Sequence, residues 1–412
     1  MGLRGACFPH RLPVMSSIYS DVVSSSSPAG EAGSSITGNR PAAGPAPLFF
    51  SGGSALHGLS QLLPTRTHRS IHLVTTFDSG GSSAELRQAL GMPAIGDLRQ
   101  RLLALADRSV EGNDALLPLL AYRFDHWASR FVLEKELDNL ISGVDSRLTS
   151  VPSSHQQWLS RCLASVRDAV GASFDWRNAS LGNLVIAGSY LLNDCDLHRA
   201  IDEFRRAVHT RGEVHAIASS SAHLAARLQN GEMVLGQHRF TGKEYAGVEA
   251  PIVEVFLNAS VHEYSPLTVA ADPYCCELAK TADMICYAPG SFFSSLCANL
   301  LPSGIADAIA ENPCSKIYVP NLGRDPEQFG LSLPELVTVL LDYLAPERSG
   351  RAVSSVLDAV WVADTLPAQS LMDVEKTLAA FGVELSVLPI GDIDDPSRYD
   401  NEELLGALWS VL

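Results

Sequence analysis

Two apolar runs, Pro47-Leu-Phe-Phe-Ser51 and Ile71-His-Leu-Val-Thr-Thr-Phe77, each end within three residues of a Gly-Gly-Ser triplet, at 52–54 and 80–82. A buried strand that stops in glycines and hydroxyls, with a helix next, constrains the chain to an open α/β sheet whose turns gather at the C-terminal strand ends. Glycine lets the backbone approach a ligand closely and take positive φ. The free N–H groups of the following helix, at the positive end of its dipole, favour phosphate. A third turn, Pro289-Gly290-Ser291, follows Asp283-Met-Ile-Cys-Tyr-Ala288. Each triplet alone is equally a tight strand-to-helix turn. Recurrence after three strands points to a nucleotide or phosphoester site built from Ser51, Gly52, Gly53, Ser54, Gly80, Gly81, Ser82, Gly290 and Ser291.

The rest of the pattern extends this alternation. Strands are expected near 47–51, 70–77, 213–219, 283–288, 315–320, 356–362 and 383–389, and helices near 54–63, 83–90, 97–107, 181–192, 197–209, 273–281, 303–311, 333–344 and 400–411. Between 114 and 170, Leu and aromatic residues recur at spacings of three and four, the mark of amphipathic helices. That block reads as a helical insertion, about 110–175, covering the site. Asn230-Gly231, between His223–Leu228 and Met233–Gly236, signals a hairpin, and Ile252–Leu257 adds a strand to it. The expected architecture is an α/β fold: a mainly parallel sheet with helices on both faces, a helical insertion and a small antiparallel annex. Residues 1–46, rich in Ser, Ala, Gly and Pro, read as a disordered lead-in, with Met15 a plausible start. Residues 47–330 read as the nucleotide-binding domain and 331–412 as its C-terminal α/β extension.

A formal charge of −16 over 412 residues argues against a nucleic-acid polymer or an anionic membrane as main partner. A small anion remains compatible, because loop amides and a few arginines act locally. Eight cysteines without a C-x-x-C pair suggest reduced, buried thiols and a cytoplasmic setting. No apolar run nears the ~20 residues of a bilayer span.

Four charged residues are candidates for chemistry. Asp78, between a strand and the second triplet, suits either Mg²⁺ bound through few protein ligands or a helix N-cap. Asp97 in Gly96-Asp97-Leu98-Arg99 carries the same two readings. Arg87 and Arg99 are candidates for stabilising charge on a phosphate-bearing group. Asn183, at a helix start after Gly182, can bond a ligand amide, hydroxyl or base edge. Asn258 and Asn321 stand at strand ends, where open sheets bind ligands.

These loops, in this order, resemble the CofD/YvcK family, which includes 2-phospho-L-lactate transferases. The likeness rests on Ser51-Gly-Gly-Ser-Ala55, Thr75-Thr-Phe-Asp-Ser-Gly-Gly-Ser-Ser83 with Leu86-Arg87, and Ile95-Gly-Asp-Leu-Arg99. It continues in Ser180-Leu-Gly-Asn-Leu184, Arg211-Gly-Glu-Val214, Ala282-Asp283, Ala288-Pro-Gly-Ser-Phe-Phe-Ser-Ser295 and Asn299-Leu-Leu301. The chain looks most like the CofD-related proteins encoded beside ATP-grasp and kinase genes. The resemblance implies a Rossmann-like three-layer fold. In one branch a phospholactyl group passes from a nucleoside diphosphate-linked donor to a hydroxyl acceptor, with Mg²⁺ held here by Asp78 and Asp97. In the other, the site holds a nucleotide sugar and regulates. A nucleotide-linked small molecule is the expected ligand; a homo-oligomer and ATP-grasp or kinase partners stand as open expectations. The sequence departs from the family at Ser54-Ala55 (usually Thr-Gly), at Asp78-Ser79 (usually two acidic residues), at Ile95 (usually Pro) and at Phe293 (usually Tyr).

Overall fold

The computed structural model describes residues 44–242, 244–245 and 247–412. The lead-in expected over 1–46 lies outside them up to position 43, as does the start at Met15.

The strand β1 (Pro47–Ser51) is buried along its whole length. A strand covered on both faces needs no polar alternation, which is why its apolar run is continuous. β2 (Ile71–Val74) and β3 (Glu213–Ala216) follow on one side of it, each paired in parallel. On the other side lie β7 (Met284–Tyr287), β8 (Ser315–Tyr318), β9 (Ala359–Ala363) and β10 (Glu384–Leu388), also parallel. The order is β10-β9-β8-β7-β1-β2-β3. The remaining strands, β4 (His223–Leu228), β5 (Met233–Leu235) and β6 (Ile252–Asn258), form a separate antiparallel sheet in the order β5-β4-β6. This is the expected architecture.

Alternate residues of β1 serve two cores. Phe49 belongs to the core shared by α1 (His57–Leu62), α3 (Gly96–Ala104), the insertion helices α4 (Asn113–Ala121), α5 (Arg130–Ser142) and α6 (Ser153–Ala169), and α7 (Leu181–Leu192), α8 (Leu197–Ala207) and α14 (Asn401–Trp409). Leu48 and Phe50 face the core made with the antiparallel sheet, α9 (Pro273–Thr281), α11 (Ile305–Glu311), α12 (Leu333–Leu344) and α13 (Ala368–Phe381). Three layers result. No helix among the described residues is long and apolar enough to cross a membrane.

The chain runs from β1 outward to β2 and β3, then returns to β7 on the opposite flank. The strand order therefore reverses between β1 and β7, and the crevice beyond their C-terminal ends is where open α/β sheets take ligands. Several elements differ from the sequence reading. α1 starts at His57 rather than 54, and β2 stops at Val74, where Ile217 N–H already bonds its carbonyl. Helix α13 was not anticipated, and Phe292–Cys297 takes π-helical form.

His72, at the centre of β2, is fully buried and stacks on Phe49 with ring centroids 5.2 Å apart. Burial pushes its pKa well below 6.5, and Arg101 adds to the depression. The unfolded chain thus binds a proton that the folded chain refuses. Its contribution is present above pH 6.5 and is lost as pH falls from there toward the folded value. His72→Phe is expected to flatten the acid side of the stability curve by up to about 1.4 kcal/mol per pH unit. Denaturant titrations at pH 7 and pH 5 measure it; equal slopes in both proteins would refute it.

Candidate functional site

Loop one leaves β1 at Ser51 and reaches α1 through Gly52, Gly53, Ser54, Ala55 and Leu56. Its shape is set by Arg101 of α3, whose guanidinium is wholly buried. Arg101 donates to the carbonyls of Gly52 (2.6 Å) and Leu56 (3.1 Å) and to Ser60 Oγ. These bonds tie loop one to α3, while the Leu56 carbonyl also accepts the Ser60 N–H of α1. Asp97 flanks the loop: a Cβ on Gly52 would lie 3.1 Å from Asp97 Oδ2, and one on Gly53 would strike Oδ1. Both glycines are therefore required by close approach, not by φ.

Loop two runs from Asp78 to Ser83 into α2 (Gly81–Leu90), and Gly81 has φ +55°. Ser82 Oγ accepts from Asn183 Nδ2 at 2.8 Å, which joins the start of α7 to this loop. A Cβ on Gly96 would lie 2.9 Å from Ser83 Oγ, so the Asp97 turn also abuts it. Loops one and three face each other across the β1–β7 crevice: a Cβ on Gly52 would be 2.9 Å from Ser295 Cβ, and one on Gly290 3.8 Å from Ala55 Cβ. The fold thus gathers loops one to three, Asp97 and Asn183 at one sheet edge.

Loop three is not an open cradle. Gly290 N–H donates to Asn321 Oδ1 (2.7 Å), and Asn321 Nδ2 returns a bond to the Gly290 carbonyl. Asn321, expected at a ligand edge, here ties loop three to the end of β8. Phe292 N–H donates to Asp325 Oδ2 (2.9 Å), while Phe293 and Ser294 N–H donate to Glu327 Oε2 (3.0 and 2.7 Å). Glu327 is 1% exposed. The helix-start amides that the sequence offers to phosphate are occupied by the chain's own carboxylates.

Both predicted arginines are buried. Arg87 donates to the carbonyls of Asp78, Ser221 (2.6 Å) and Ala222 (2.7 Å), clamping loop two to the segment after β3. Arg99 donates to Ser180 Oγ and lies against Gly182. Burial lowers Arg87, Arg99 and Arg101 alike to about 10, with Asp78 opposing the shift at Arg87 and Asp97 at the other two. All three stay charged at neutral pH, so each needs acceptors. Ser180 also lines a cavity of about 230 Å³ with Gly81, Ser82, His126, Phe174 and Asn178. The insertion contributes to it through His126, beyond α4, and Phe174, beyond α6.

Among the described residues, three buried side-chain oxygens at this edge have no hydrogen-bond partner, Ser51 Oγ, Asn183 Oδ1 and Asn299 Oδ1, and neither do the Nε atoms of Arg87, Arg99 and Arg101. Asn299, in α10 (Ala298–Leu300), also donates to the Ser51 and Ser295 carbonyls (3.4 and 2.8 Å) and so bridges loops one and three. The sequence reading gave Asn299, Arg101, Glu327 and Glu244 no role. Arg101 had a signal, because it shares the apolar face of α3 with Leu98, Leu102 and Leu105. The two glutamates had none.

A sequence model of the family described as 2-phospho-L-lactate transferase CofD matches residues 48–394. The gluconeogenesis factor of Halalkalibacterium halodurans is 26% identical over 361 residues, 87% of this chain and 91% of that protein. The gluconeogenesis factor of Bacillus subtilis is 29% identical over 281 residues, 68% of each. A Thermotoga maritima relative is 28% identical over 273 residues, and the match spans 66% of its length. A crystal structure of a UPF0052 family member from Bacillus halodurans superposes with a TM-score of 0.63 at 23% identity, covering 89% of this chain and 99% of that one; it shares the fold.

Proposed function

The chain belongs to the CofD family, and from that premise we propose that it binds a nucleoside diphosphate-linked small molecule at the crevice between β1 and β7. The observation that carries this reading is the trio of buried, unpartnered atoms Ser51 Oγ, Asn183 Oδ1 and Asn299 Oδ1 around the three loops. Buried polar atoms are almost always satisfied, and a polar ligand at this edge would satisfy them.

Binding that serves regulation, as in a nucleotide-sugar sensor, is the mode we favour. Arg87 is spent on three backbone carbonyls and the amides of Phe292–Ser294 on Asp325 and Glu327. Those donors are therefore engaged within the protein and do not face a charge that develops only during transfer. The second reading is transfer of a 2-phospholactyl-type group to a hydroxyl acceptor, and the placement of Asp97 favours it. Its carboxylate lies against Gly52 and Gly53. Mg²⁺ is usually held by one or two carboxylates, with phosphate oxygens and waters completing the shell, so Asp97 would suit that ion, with Asp78 of loop two as the second candidate. When bound, it would neutralise diphosphate charge.

Calorimetric titration with GDP and UDP, with and without MgCl₂, tests the proposal. Wild type is expected to bind at least one of them, and Asp97→Asn to weaken Mg²⁺-supported binding at least about tenfold, the loss of one charge-assisted contact. No heat with either nucleotide would overturn it. Product formation with a hydroxyl acceptor would favour transfer.

A further inference from the structure

Glu244 lies between β5 and β6, 163 positions beyond Gly81, yet its Oε1 accepts the Gly81 N–H at 2.6 Å. That amide is the first of α2, the one loop two would present to phosphate. The same connection is pinned at His238. Its Nδ1 is 2.7 Å from Ser79 Oγ, and its backbone N–H donates to that oxygen at 3.4 Å. A Cβ on Gly80 would be 2.7 Å from Glu244 Oε1 and 3.3 Å from His238 Cβ, so the carboxylate rests directly on the loop.

We propose that Glu244 is an internal competitor for the loop-two phosphate position, occupying the Gly81 amide until a ligand phosphate displaces it. This rests on the nucleotide-binding reading above and adds regulation of that site. A carboxylate on a backbone N–H makes a charge-assisted bond. A phosphate arriving at the same N–H must both replace that bond and overcome like-charge repulsion. The contrast with Glu327 decides which loop yields. Glu327 is 1% exposed and takes two amides and the Ser294 hydroxyl, so releasing it would strand a buried charge. Glu244 is exposed and returns to water when it lets go.

The test is calorimetric titration of wild type, Glu244→Gln and Glu244→Ala with GDP and with UDP in MgCl₂, thermal unfolding confirming that each is folded. Glu244→Ala is expected to bind the recognised nucleotide about tenfold more tightly, since one charge-assisted bond no longer opposes it, with Glu244→Gln between the two. A dissociation constant within about twofold of wild type, or a weaker one, overturns the proposal and leaves the nucleotide-binding reading standing. If no protein of the three binds either nucleotide, the nucleotide-binding reading fails and this inference falls with it.

Discussion

Gly188→Ala is expected to lower the unfolding free energy by roughly 3 kcal/mol or more, while Gly406→Ala raises it by about 0.5–1 kcal/mol. Both glycines sit inside helices, where alanine is the better helix former, so propensity alone predicts the same gain at each. Packing reverses one of them. In α7, a Cβ on Gly188 would lie 2.5 Å from the Cys162 carbonyl carbon and 2.6 Å from its Cα, and closer still to the oxygen. Those atoms are backbone of α6 and cannot swing aside, so the two helices must separate and lose the packing of Leu159, Leu163, Val166 and Val185. In α14, Gly406 has no atom within 4 Å of its would-be Cβ. Chemical denaturation of the two variants measures the difference. A gain at Gly188 equal to that at Gly406 would show that α6 and α7 do not approach closely enough at Cys162 to exclude a methyl group. Because α7 also carries Asn183, the first variant should weaken nucleotide binding as well.

How far this was legible in the sequence depends on the range of the interaction. β1, β2 and β7 announced themselves because a strand buried on both faces is apolar throughout, and Asn230-Gly231 placed the antiparallel sheet because its turn chemistry is local. Helix α13 went unread although Leu371, Val374 and Leu378 keep helical spacing. The parallel pairing of β9 with β10 requires such a crossover, but that pairing is itself a fact of the folded sheet. The π-helical turn at Phe292–Cys297 had no local signal; Asp325 and Glu327, more than thirty residues on, hold its first amides. The site followed the same rule. Glycines and hydroxyls at strand ends marked its position. Which loop amides are already engaged by Glu244 and Glu327, and that Arg87 faces three carbonyls, depended on contacts made only when distant segments meet.

Arg101→Met is expected to lower the unfolding free energy by roughly 3–5 kcal/mol, the largest loss of any single change near the site. Methionine nearly matches the length of the stem, so little cavity is created. The cost arises at the acceptors. The Gly52 carbonyl and the Ser60 hydroxyl face the guanidinium in a fully buried setting, and each unsatisfied group costs about 1–3 kcal/mol, whereas the Leu56 carbonyl keeps its bond from the Ser60 N–H. Asp97 would also lose the cation that its charge supports. Arg101→Lys separates charge from geometry. It keeps the charge, but an ammonium on a flexible stem cannot present the planar fork that reaches loop one and α1 together. Its stability should fall between wild type and Arg101→Met. Thermal and denaturant unfolding of both variants measures this order, and nucleotide titration below the transition reads the state of loop one. If Arg101→Met unfolds at the wild-type midpoint, the guanidinium does not hold the loop. If it unfolds early but binds GDP or UDP unchanged while folded, loop one keeps its shape without it, and the close packing of Gly52 and Gly53 against Asp97 and Ser295 must suffice.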